Sequence, residues 1–144
     1  MSRTGKNRGG LRICGQRGNR EVKDALIRFA RWLRARYEFP IRVPVYLRPE
    51  ATLVTRSGET DIVTSFFAPF DTSVEPYIRI ATGDYPDEKA AEGRDDALAG
   101  YLYGLAYQLV NYFDWLDEKE RPERRVRERA DRIVDRYAGC VDRP

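Results

Sequence analysis

The stretch "RDDALAGYLYGLAYQLVNYFDWL", residues 94–116, decides how the rest of this chain must fold. Leu98, Leu102, Leu105, Leu109 and Phe113 recur at three- and four-residue spacing, so they line one face of a helix. Gly100, Gly104, Tyr107 and Asn111 fall on the opposite face. Asp95 and Asp96 suit the positive end of the helix dipole. A helix this apolar on most sides is central and buried. Two glycines four apart cost helix propensity. Another backbone is therefore expected to pack closely over Gly100 and Gly104, as a sheet lying on that face would.

Upstream, Asn19 can cap a helix and Glu21 suits its first turn. Val22, Ala25, Leu26, Phe29, Ala30, Leu33 and Tyr37 continue that helix, which stops before Pro40. "IRVPVYL" (41–47) alternates and is β-branched, so it reads as a strand, and Pro44 suits an edge position. "TLVTRSGETDIVTSFFAPF" (52–70) reads as a hairpin turning near Ser57-Gly58. "PYIRIATGDY" (76–85) is a further strand, with Tyr77, Arg79 and Ala81 on one face and Ile78 and Ile80 on the other. A polar loop is expected from there to about Gly93. After the long helix, a last one starts near Pro122 and runs to Tyr137. Val126, Ala130, Ile133, Val134 and Tyr137 form its buried stripe, and its alternating charges form a solvated face. The fold class is α+β: an N-terminal helix, a small twisted mixed sheet of three or four strands, a central long helix and a C-terminal helix.

At 144 residues, 42% of them hydrophobic and 12% aromatic, the chain suffices for one domain with a real core. It has no run of eighteen apolar residues and no secretory signal, which predicts a cytoplasmic protein without a membrane partner. Cys14 and Cys140 could pair if the ends of the chain meet, but in an unexported chain they read as free thiols. There is no histidine, which removes the commonest zinc ligand and the commonest general base together. The net charge of +3 is uneven. Arg3, Lys6, Arg8, Arg12, Arg17 and Arg20 crowd the first twenty residues with no acid among them, leaving 20 basic against 23 acidic residues elsewhere. Residues 1–18 therefore read as a basic, disordered arm and residues 19–144 as a single domain. The arm could touch nucleic acid, although no aromatic residue sits in it to stack on bases.

Tyr107-Gln108-Leu109-Val110-Asn111 occupies the slots that an H-E-x-x-H motif would fill. A zinc peptidase needs two imidazoles four apart on a helix, and a carboxylate beside the first to take a proton from zinc-bound water. The flanking Leu105, Ala106, Leu109, Tyr112 and Trp115, the strand before and the closing "RERADRIVDRY" together resemble the compact bacterial gluzincin-type metallopeptidase domains. The resemblance spans roughly residues 19–137 and implies a zincin-like fold. It would place Tyr107 and Asn111 at the zinc-ligand positions and Gln108 at the general-base position. The family's third ligand is an acid on the following helix near an alanine, and Glu128 is the nearest acid to Ala130. The resemblance also implies that the strand over 76–85 is the edge that pairs with an extended peptide. Tyr77, Arg79 and Ala81 would then meet the partner, and Tyr103 would line the old cleft beside Tyr107.

The peptidase chemistry fails at each of these positions. Gln108 cannot serve as a general base. Asn111 is a poor zinc ligand, and Tyr107 would have to ionise from a pKa of about 10. Each replacement is one nucleotide change from the motif, and three together point to repurposing more than to a single designed knockout. The sequence thus predicts a catalytically inactive, cofactor-free, zincin-like domain that binds a peptide or protein. The alternatives are a nucleic-acid module using the arm, a hard-cation site built from Asp114, Glu118 and Glu128, and polar residues at 107, 108 and 111 that never held a site.

Overall fold

A computed structural model of the chain describes residues 10–15, 17–71 and 73–144. Four strands, β1 (Leu11–Cys14), β2 (Val43–Arg48), β3 (Thr64–Phe67) and β4 (Tyr77–Ala81), form one mixed sheet in the order β1-β2-β4-β3. β1 with β2 and β2 with β4 are parallel, and β3 with β4 is antiparallel. Four helices, α1 (Arg20–Arg36), α2 (Tyr85–Glu92), α3 (Arg94–Leu116) and α4 (Glu123–Ala138), complete the α+β fold. No helix among the described residues is long and apolar enough to cross a membrane.

The core lies between one face of the sheet and the helices. Val43, Val45, Leu47, Ile78 and Ile80 point into it from β2 and β4. Val22, Leu26, Phe29 and Leu33 meet them from α1, and Leu98, Leu102, Leu105 and Leu109 from α3. The Asn19 side chain caps α1 by accepting from the backbone of Glu21 (3.0 Å) and Val22 (3.3 Å). Its own N–H donates to Thr82 Oγ1 at 2.8 Å, which ties the start of α1 to the end of β4. Glu21 then holds Lys89 at 2.7 Å and Arg94 at 3.5 Å, joining α1 to α2 and α3. Cys14 is half-buried, Cys140 is exposed, and both are free thiols.

Several expectations are corrected. The basic arm does not run to residue 18, because Leu11–Cys14 is a strand. Leu11 turns into the core and Arg12 away from it, and the Gly10 carbonyl accepts from Val43 N at 2.9 Å. Pro44 is not on an edge strand, since β2 has a neighbour on both sides. It is tolerated because the ladder with β4 begins only at Val45, one residue later. The expected hairpin turns where predicted, with Thr55 N bonded to Glu59 O at 2.9 Å, but only the single bridge Leu53–Ile62 forms there. Its second arm becomes a regular strand at Thr64. The polar loop before Gly93 is instead α2, begun by Pro86 in its first turn with Asp87 and Glu88 beside it.

Neither helix glycine has a backbone packed over it as expected, and only Gly104 has a close neighbour, a side-chain methyl of the sheet. A Cβ on Gly104 would stand 2.9 Å from Thr64 Cγ2 of β3, whereas one on Gly100 would meet nothing within 4 Å. Gly100→Ala should therefore gain about 0.5–1 kcal/mol of stability from propensity alone. Gly104→Ala should lose about 1 kcal/mol, because the strain against a β-branched, hydrogen-bonded Thr64 exceeds that gain. Urea midpoints of the two variants should move in opposite directions, and a parallel rise would mean that β3 yields freely.

Candidate functional site

The polar trio on α3 sits where helical spacing puts it, on the side that meets β3 and α4. Gln108 is 7% exposed. Its Nε2 donates to Thr64 Oγ1 at 2.9 Å, and its Oε1 accepts from Asn111 Nδ2 at 3.0 Å. Both ends of the amide are thus satisfied, which a buried amide requires. The three residues form a hydrogen-bonded strut from α3 to β3. Tyr107 is half-buried, with its ring 6.2 Å from that of Tyr103. Burial raises the Tyr107 phenol above its usual range; the Glu123 carboxylate adds to this and Arg127 opposes it. A phenol held protonated is a weak metal ligand, and an amide cannot take a proton from water.

Glu128 is not the α4 residue nearest this stripe. It is exposed and pairs loosely with Arg124 at 3.8 Å. The α4 groups whose charge reaches Tyr107 are Glu123 and Arg127, and Asp131 joins them at Tyr103. The phase of α4 explains this. Val126, Ala130, Ile133 and Tyr137 are buried, so positions 123, 127 and 131 flank the stripe and 128 lies opposite it. That phase was present in the sequence and was the signal that could have located them.

The alternative acidic site is not assembled either. Asp114 is buried and accepts from Arg121 at 2.8 Å and Arg129 at 3.4 Å, so its charge is already matched. Among the described residues no group of three or more Cys, Asp or Glu is placed to hold a metal ion.

The expected peptide edge is also corrected. β4 pairs with β2 on one side and β3 on the other, so the backbones of Tyr77, Arg79 and Ala81 are occupied by the sheet. Ala81 is buried as well. The edge on this side is β3. Ala81 N donates to Val63 O at 2.8 Å, and antiparallel alternation then directs residues 65 and 67 to β4. The backbone groups of Thr64 and Phe66 point away from the sheet, while their side chains face the helices. Tyr103 stays in the reading, half-buried beside Tyr107 on the same side of α3.

The basic residues divide. Arg3, Lys6 and Arg8 lie outside the described residues. Arg12 is exposed on β1, Arg17 is exposed in the turn after it, and Arg20 opens α1. Arg12 and Arg17 line an open groove of about 970 Å³ at the outer face of the sheet, together with Tyr77 and Arg79. Sequence reasoning missed three further lining residues, Lys23, Tyr46 and Arg48. The alternation of "VPVYLR" places Tyr46 and Arg48 opposite Val45 and Leu47, and that was their signal. Comparison of the chain with protein-family models, with curated proteins and with solved structures gives no match.

Proposed function

We propose that this chain is a non-catalytic, zincin-like binding domain that takes an extended segment of a protein partner along the free edge of β3. The observation that carries the reading is the Thr64–Gln108–Asn111 strut. At two of the three positions where a zinc peptidase would hold its metal and base, Gln108 and Asn111 spend their amides on fixing an edge strand to the central helix. A fixed edge offers main-chain donors and acceptors without an ordering cost at the moment of binding. Tyr103 and Tyr107, paired on the adjoining side of α3, offer an apolar wall with polar tips. The amide at 108 and the protonated phenol at 107 support binding without hydrolysis.

The test is an NMR titration of the backbone amides with unstructured casein-derived decapeptides, zinc present and absent. Shifts should concentrate at Thr64–Phe67, Tyr103 and Tyr107. N-methylation of a bound peptide at alternate residues should weaken it about tenfold, since each edge hydrogen bond contributes on the order of 1 kcal/mol. Zinc-dependent cleavage of any of these peptides, or no shift along β3, would sink the proposal.

A further inference from the structure

The sheet face turned away from the core cluster carries aromatic rings and a guanidinium among small polar side chains. In register across the sheet, Cys14 of β1 stands by Tyr46 of β2, Tyr46 by Arg79 of β4, and Arg79 by Ser65 of β3. The next row sets Phe67 beside Tyr77. The turn after β1, the segment around Thr52–Val54 and Lys23 of α1 border an open groove of about 970 Å³ at this floor. Five cations line it: Arg12, Arg17, Lys23, Arg48 and Arg79. One acid, Glu50, lines it too, which leaves four positive charges unmatched. Glu50 is itself engaged by Arg48 at 3.0 Å. That bond holds its carboxyl below the usual range, with Arg17 adding to the effect, so Glu50 stays charged and cannot turn toward a ligand as an acid.

Two further details point to a ligand with both phosphates and flat apolar faces. Arg79 donates one guanidinium N–H to the Val54 carbonyl at 2.9 Å, yet its Nε is buried with no hydrogen-bond partner among the described residues. The guanidinium is thus held in the floor of the groove by the Val54 carbonyl, with its charge facing the aromatic row. The aromatic rings form a continuous series beside the cations. Tyr46, 39% exposed, lies 5.9 Å from Tyr77, and Tyr77 stacks on Phe67 at 4.9 Å. Arg56 covers the Phe67 ring at 4.9 Å. A simple anion would use the cations and leave the rings idle. A duplex would offer phosphates but keep its bases stacked inside.

We propose that this face binds single-stranded nucleic acid, with backbone phosphates on Arg12, Arg17 and Lys23 and unstacked bases on Tyr46 and Tyr77. Cations that track the backbone beside rings that accept any base give sequence-tolerant binding. The surface is separate from the edge of β3, so it stands or falls independently of the peptide reading.

The experiment is fluorescence anisotropy of the full chain with a mixed-sequence twelve-nucleotide single-stranded DNA. Its duplex and a glutamate dodecapeptide serve as competitors. The single strand should bind most tightly, and log affinity should fall against log salt with a slope of about −2, for three phosphates neutralised at about 0.7 each. Arg12→Glu and Arg17→Glu, both at exposed positions, should each weaken binding at least about tenfold. Tyr46→Ser should weaken it about tenfold while Tyr46→Phe keeps it, because only the ring face is used. The triple variant Arg3→Ser, Lys6→Ser, Arg8→Ser should bind within about twofold of the parent. Equal competition by the glutamate peptide would make this a general anion site and overturn the proposal. Loss of binding in the triple variant alone, duplex preference, or no binding at low salt would overturn it too. Unchanged melting of the Tyr46 and Arg12 variants keeps a folding defect from standing in for any of these results.

Discussion

Raising the pH past 10 should destabilise this protein, and its buried tyrosines should ionise in the same step in which it unfolds. Tyr85, Tyr101 and Tyr137 are 1%, 5% and 3% exposed, and burial raises all three above the usual value of 10.0. Tyr85 and Tyr101 are raised further because each phenol donates to a carboxylate, Glu21 at 3.1 Å and Glu88 at 2.5 Å. In the unfolded chain a tyrosine loses its proton near pH 10, while in the folded chain these three keep theirs. Over that window the native state binds more protons than the unfolded state, so stability falls as pH rises. The contribution is complete below about pH 10 and drains away above it. Each such group costs up to about 1.4 kcal/mol per pH unit between its unfolded and its folded value, so the three together drain a sizeable part of the roughly 5–15 kcal/mol that a domain holds. Phenolate absorbance and helical circular dichroism should therefore change together, cooperatively. Smooth ionisation near pH 10 with helix intact would refute the prediction. Tyr101→Phe should shift the alkaline midpoint upward, since one of the three titrating groups is gone.

Gly83→Ala should be strongly destabilising for a single added methyl. A Cβ there would stand 2.6 Å from Pro49 O, Glu50 C and Ala51 N, all of them backbone atoms with no rotamer to escape into. The segment after β2 is stitched to the end of β4 at this point. Gly83 N donates to Glu50 O at 2.8 Å, and the Thr82 N–H and hydroxyl both donate to Arg48 O. The same Thr82 hydroxyl accepts from Asn19 N and so anchors the start of α1. Forcing the two segments apart strains one bond directly and drags on the others. Overpacking of about 1–3 kcal/mol and one lost hydrogen bond of about 1 kcal/mol sum to about 3 kcal/mol, or a fall in Tm of about 10 °C. A Tm within about 2 °C of the parent would show that the turn opens without cost.

The three long helices were legible because each carries its own punctuation. Asn19 caps α1, acids crowd the first turn of α3, and Pro122 precedes α4, while each apolar stripe repeats at helical spacing. β1 was not legible. Four residues of alternation inside a run of glycines and arginines read as a tail, and only the pairing with β2 makes them a strand. α2 buries little besides Tyr85, so it lacks the stripe that announces a helix. Strand order was hidden for a different reason. Nothing in "YIRIA" says that two neighbours will flank it, and nothing in "TSFF" says that one side will stay open. At the site, the spacing of Tyr107, Gln108 and Asn111 correctly put them on one side of α3. The partner of Gln108 lies 44 residues away on β3 and no local pattern names it.

The sequence of β3 has a consequence for how the chain matures. "TSFF" is uncharged, holds two aromatic residues and has no lysine or proline within it to discourage a second strand from pairing. In the finished fold the Phe66 ring is packed near Tyr112 and Trp115 and Thr64 is pinned to α3, so the strand is displayed at one fixed angle. Before α3 docks, nothing restrains it. Two nascent copies can then join edge to edge through these four residues, in competition with the helix that should cover their inner face. Docking of α3 thus closes the inner face of this strand as well as fixing its angle, and a substitution that slows docking leaves that face open for longer.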